Sequence, residues 1–184
     1  MADFSRVQAL VIDDNVHMIQ IVRSMLLGFG ITRTYESRDA AEAFDIVRHE
    51  SIDFVIVDYQ MPILDGLEFT RLARTAKDTR NAFIPIILLT AHTERSRIIA
   101  ARDAGVTEIC AKPINAKQLW MKIAACVNNP RPFVRAGSYF GPDRRRREEE
   151  PPKQERRTAQ PVAKPGETAG EEAGEAPQAK TASV

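Results

Sequence analysis

The chain has 184 residues, 43% of them hydrophobic, with 26 Lys and Arg against 25 Asp and Glu for a net charge of +1. That is enough apolar material for one domain of ordinary size, and the near-zero charge averages two unlike parts. No apolar run approaches the roughly 18 residues a membrane span needs, "MADFSRVQAL" lacks the pattern of a secretory signal, and Cys110 and Cys126 have no metal-type spacing. A reduced, cytoplasmic protein is expected rather than a disulfide scaffold. Leu, Ile, Val and Phe are dense to about Val127 and nearly vanish after Phe140. The composition predicts a globular domain over 1–129 and a disordered tail beyond it, made of an arginine- and aromatic-rich extension at 130–147 and low-complexity sequence at 148–184.

In chain order, "VQALVID" reads as a strand and Val16 to Leu27 as an amphipathic helix with Ile19, Val22, Met25, Leu26 and Leu27 on its buried stripe. Gly28 and Gly30 follow a helix and precede a strand, the reverse of a dinucleotide loop, so they read as a helix stop. "ITRTYES" is a more polar strand that suits a sheet edge. A helix over Asp39 to His49 leads to the apolar strand "DFVIVD", then come a helix over Leu67 to Ala76 and the strand "IPIILLT". A helix over Glu94 to Ala104, the strand "TEICAK" and a helix over Ala116 to Val127, with Leu119, Trp120, Ile123 and Val127 inward, complete the series. Regular strand–helix alternation predicts a doubly wound five-stranded parallel α/β sheet with helices on both faces. Its central strands, Val7 to Ile12, Phe54 to Val57 and Ile84 to Leu89, are apolar throughout, as burial on both faces requires.

Ligands of such sheets bind beyond the carboxyl ends of the strands. There the sequence places Asp13 and Asp14, then Asp58, Thr90 and Lys112. Clustered carboxylates repel, and a hard cation such as Mg²⁺, held by carboxylates, waters and a phosphate oxygen, offsets that repulsion. A nucleophilic carboxylate, a metal and a lysine at the equatorial oxygens are the parts phosphoryl transfer needs. Singly, each residue has a plainer explanation: Asp13 or Asp14 as a helix cap, Thr90 as a strand-end threonine, Lys112 as a solvated side chain. Asp58 closes an apolar strand and is no obvious cap.

From about Arg6 to Asn128 the chain resembles the CheY-like receiver domains of two-component response regulators, on "VIDDN", "VDYQMPILDG", "LLTA" and "AKPI" in the family's order and approximate spacing. The resemblance implies a flavodoxin-like fold and a phospho-acceptor at Asp58, served by a sensor histidine kinase or phosphotransfer protein. It implies Mg²⁺ ligands at Asp13, Asp14, Asp58 and the Gln60 backbone carbonyl, a switch hydroxyl at Thr90, a phosphate-pairing Lys112 and a cis Lys112–Pro113 bond. Gln60 and His92 occupy positions that tune water access in similar receivers; an exposed loop histidine is the alternative for His92. Where many receivers carry a Tyr or Phe three residues before the lysine, this chain has Ile109. Aromatic gating is thereby set aside in favour of Thr90, the helix after it and the facing surface. Such a protein catalyses its own phosphoryl transfer and autodephosphorylation without turning over external substrates.

With too little apolar content after Asn129 for a second core, the expected output is a protein contact. "RPFVRAGSYFGPDRRRR" interleaves aromatics with arginines and is similar to the tails of CheY-like proteins that bind cyclic di-GMP, which makes Arg131, Arg135, Tyr139, Arg144, Arg145 and Arg146 candidate nucleotide contacts. The alternative is that Phe133, Tyr139 and Phe140 pack back on the domain. DNA is disfavoured, since Glu148 to Glu150 repel a polyanion. A haloacid-dehalogenase-like phosphatase needs a second Asp where this chain has Gln60, and a silent pseudo-receiver is expected to lack residues that are all present here.

Overall fold

The computed structural model describes residues 4–75, 82–137 and 139–144. The chain divides into two units, Met1–Arg147 and Glu148–Val184, and the second lies outside the described residues, as does the disorder expected for it. The first unit alternates β1 (Gln8–Ile12), α1 (Val16–Gly28), β2 (Arg33–Ser37), α2 (Ala40–His49), β3 (Phe54–Asp58), α3 (Gly66–Thr75), β4 (Ile86–Thr90), α4 (Arg95–Ala104), β5 (Glu108–Ala111) and α5 (Ala116–Asn128). The five strands are parallel in the order β2-β1-β3-β4-β5, with the polar β2 at an edge and the apolar β1, β3 and β4 inside.

Strand alternation sends apolar residues to both faces. Leu10, Ile12, Val55, Val57, Ile86 and Leu88 pack with α2, α3 and α4, whereas Ala9, Val11, Phe54, Ile56, Ile87 and Leu89 pack with α1 and α5. The helices start where short polar side chains satisfy the open backbone amides. Asn15 accepts from His17 N at 2.9 Å, Asp39 from Glu42 N, and Asn115 from Lys117 N. Asp65 and Glu68 form a reciprocal capping box at α3. The glycine stop after α1 is a Schellman turn: Gly30, at φ 88°, donates to Leu27 O while Ile31 N reaches Leu26 O.

Gly66 fixes the distance between α3 and the end of β3. A Cβ there would land on the Asp58 carbonyl oxygen and lie 2.9 Å from Leu88 Cδ1. Gly66→Ala is therefore expected to lose about 1–3 kcal/mol of stability, read as a lower urea midpoint, because the obstacle is backbone and cannot rotate away.

Beyond Asn129 the structure corrects the expected tail. Phe133–Ala136 (β6) and Tyr139–Pro142 (β7) form an antiparallel hairpin. Its rings meet Phe83, with centroids at 5.3 Å for Phe133 and 5.1 Å for Phe140. Phe83, Phe133 and Phe140 make a small apolar cluster, one ring of which comes from the domain and not from the tail. Among the described residues, no helix is long and apolar enough to cross a membrane.

Candidate functional site

At the carboxyl edge of the sheet, the turns after β1, β3, β4 and β5 bring five side chains together. Asp13 is buried and Asp14 exposed, while Asp58, the last residue of β3, is 7% exposed. The three residues offer carboxylate oxygens within 4.8 Å of one another. Asn15, not either aspartate, caps α1, so the capping explanation for Asp13 and Asp14 does not hold; Asp13 instead accepts from Asn15 N at 2.9 Å.

Lys112 answers part of the charge. Its Nζ lies 2.7 Å from Asp58 Oδ1 and 3.3 Å from Asp13 Oδ2. Burial acts to lower the lysine's pKa, but the hydrogen bond to Asp58 and the charges of Asp58 and Asp13 outweigh it, so the net shift is upward. Asp13 is also raised: burial, joined by the Asp58 charge, outweighs the Asn15 amide and Lys112. One ammonium among three carboxylates leaves negative charge at the rim, and a partly buried carboxylate held against its preference for water favours a cation. The bond from Lys112 to Pro113 is cis.

Thr90 is buried at the end of β4 with its hydroxyl engaged: Oγ1 accepts from His92 N at 3.0 Å and donates to His92 O at 3.2 Å. Gln60 is exposed and His92 half-buried. Ile109 packs beside Thr90 and His92 in a crevice closed by Tyr59, Leu88, Ile98 and Ala101. No motif points to Arg97, whose guanidinium sits 5.2 Å from the Tyr59 ring centroid and carries α4 to the residue after Asp58.

The candidate nucleotide contacts lie elsewhere. Arg131 donates to Thr107 O at 3.3 Å, Arg135 stacks on Phe140, and Tyr139 donates to Pro142 O while Arg144 covers its ring. Arg144 also pairs with Asp103 at 3.0 Å. These four groups thus have partners within the chain, the packed-back alternative. Arg145 and Arg146 fall outside the described residues.

The family model described as the response regulator receiver domain matches residues 9–124, a span containing all five residues of the cluster. Over 114 residues the chain is 33% identical to the chemotaxis protein CheY of Pseudomonas aeruginosa, covering 62% of this chain and 90% of that one. Chemotaxis protein CheY-3 of Vibrio cholerae is 31% identical over 62% of this chain and 86% of its own. Among solved structures, Vibrio cholerae CheY4 is similar with a TM-score of 0.59 at 26% identity, covering 64% of this chain and 95% of the other. The receiver domain of a Pseudomonas aeruginosa sensor histidine kinase, with a magnesium ion coordinated in its active-site cleft, has a TM-score of 0.59 at 25% identity over 67% and 99%. The chain belongs to the response regulator receiver domain family.

Proposed function

We propose that this receiver accepts a phosphoryl group on Asp58 from the phosphohistidine of a sensor histidine kinase or phosphotransfer protein, and passes the signal on through a protein contact in the cytoplasm. The observation that carries the reading is the Lys112 ammonium 2.7 Å from Asp58, with Asp13 and Asp14 beside them. The acidic set suits Mg²⁺, with Asp13, Asp14, Asp58 and the Gln60 carbonyl as its protein ligands. When bound, the ion offsets charge on the phosphoryl oxygens.

The chain's own groups do the rest. An Asp58 oxygen attacks phosphorus as the nucleophile, the donor imidazole leaves with the P–N bonding pair, and an acyl phosphate results. Lys112 stays as the cation beside the reacting carboxylate and neutralises a phosphoryl oxygen. The Thr90 hydroxyl exchanges His92 O for a phosphoryl oxygen, which makes the turn into α4 responsive to the modification. Gln60 and His92, at the mouth, set how readily water reaches the acyl phosphate.

Incubation with a histidine-phosphorylated phosphotransfer protein is expected to move radiolabel onto this chain in a form released by hydroxylamine. Label at the wild-type level in Asp58→Asn would refute the assignment.

A further inference from the structure

The hairpin of β6 and β7 packs beside Gly105, which precedes β5, and Phe83, which precedes β4, whereas Asp58 ends β3; nothing in the receiver chemistry accounts for it. It is closely docked. A Cβ on Gly141 would lie 2.9 Å from Gly105 Cα, and one on Gly105 would lie 3.1 Å from Phe140 O, so two backbones touch where neither position carries a side chain. Arg74, on α3 and 5% exposed, donates Nε and Nη2 to Gly105 O at 3.2 and 3.1 Å and Nη1 to Ala82 O at 3.0 Å, with its guanidinium 4.9 Å from the Phe133 ring centroid. At the hairpin's exit, Arg144 pairs with Asp103 of α4.

Gly105 is the C-cap of α4, so these contacts converge on one end of that helix. The other end follows the Thr90–His92 turn. Between the two, α4 is thinly held: only Ala101 and Ala104 of its residues are buried, Ile98 and Ile99 are exposed, and the N-cap Glu94 makes no side-chain capping bond. A helix with so small a buried face is positioned by its ends. A hydroxyl has a single proton to donate. When Thr90 turns to a phosphoryl oxygen it gives up His92 O, and the turn leading into α4 must readjust.

We propose that the hairpin is a latch on α4: docked, it holds the helix in its resting arrangement, phosphorylation of Asp58 loosens it, and loosening it favours phosphorylation. The two effects are one coupling free energy read from either side. The inference rests on the receiver reading above, and it makes "RPFVRAGSYFGPDR" part of the switch and not an appendage.

Hydrogen exchange on the full chain, with and without acetyl phosphate and Mg²⁺, tests the latch while intact mass records the adduct. Amides of 133–142 are expected to exchange several-fold faster in the phosphorylated protein. Arg144→Ala, an exposed change that leaves the core intact, is expected to speed the same amides without phosphorylation and to raise the phosphorylated fraction at limiting acetyl phosphate. The charge swap Asp103→Arg with Arg144→Asp is expected to restore both. A full adduct with unchanged hairpin exchange overturns the latch alone, as does an Arg144→Ala hairpin that loosens without changing the phosphorylated fraction. No adduct in the wild type overturns the receiver reading and the latch with it.

Discussion

Lys112→Ala is expected to slow phosphorylation of Asp58 by about 10²–10³, the loss seen when one preorganised charge-stabilising donor is removed. Among the described residues, the lysine is the single cation in contact with both Asp58 and Asp13, at 2.7 and 3.3 Å. On the proposed reading, its loss leaves the Asp58 carboxylate facing an incoming anion with only a metal to offset the charge. Asp13, already raised by burial, loses the favourable charge that holds it ionised, so its carboxyl shifts further upward. Lys112→Arg is expected to recover little, because a planar fork replaces a compact ammonium between two carboxylates. Initial rates of acyl phosphate formation from acetyl phosphate, followed by intact mass, give the number; an alanine variant within threefold of the wild type would remove Lys112 from the mechanism.

Ending the chain at Asn129 is expected to lower the receiver's stability by about 3 kcal/mol, the sum of two half-buried Phe side chains and their aromatic and cation–π contacts. Phe83 would lose both of its ring partners. Arg74 would keep its carbonyl acceptors but lose the Phe133 face. Burial brings the pKa of that guanidinium down to about 10, which still leaves it charged at neutral pH, so a cation would remain beneath a stripped surface. Urea denaturation of the full chain, of 1–147 and of 1–129 separates the possibilities: the first two are expected to share a midpoint and the third to fall below it. Equal midpoints for all three would mean that the hairpin contributes nothing to the fold.

The alternation of period-two strands and 3.6-residue helices made the sheet legible, because each element buries an unambiguous face: Val55 and Val57 on one side, Phe54 and Ile56 on the other. The acidic cluster with its lysine was legible for a related reason. Strand ends are where this topology exposes polar groups, so Asp13, Asp14, Asp58, Thr90 and Lys112 could be placed together before any distance was known. What stayed hidden depended on side chains crossing between elements. Arg97 over Tyr59 and Arg74 over Phe133 join residues whose local sequences carry no sign of each other. The hairpin was missed because its stability comes from three rings, one of them at Phe83 far back in the chain, and from backbone contact at Gly105 and Gly141. Phe133, Phe140 and Gly141 are visible within 130–147, but their partners Phe83 and Gly105 lie outside it.

The proposed function stands or falls with metal-assisted phosphorylation of Asp58. Intact mass after incubation with acetyl phosphate, for wild type and Asp58→Asn, each with Mg²⁺ and with chelator, tests it most directly. One phosphoryl adduct is expected in the wild type with Mg²⁺ and none in the other three samples. An adduct of equal yield in Asp58→Asn, or in the wild type under chelator, would contradict it.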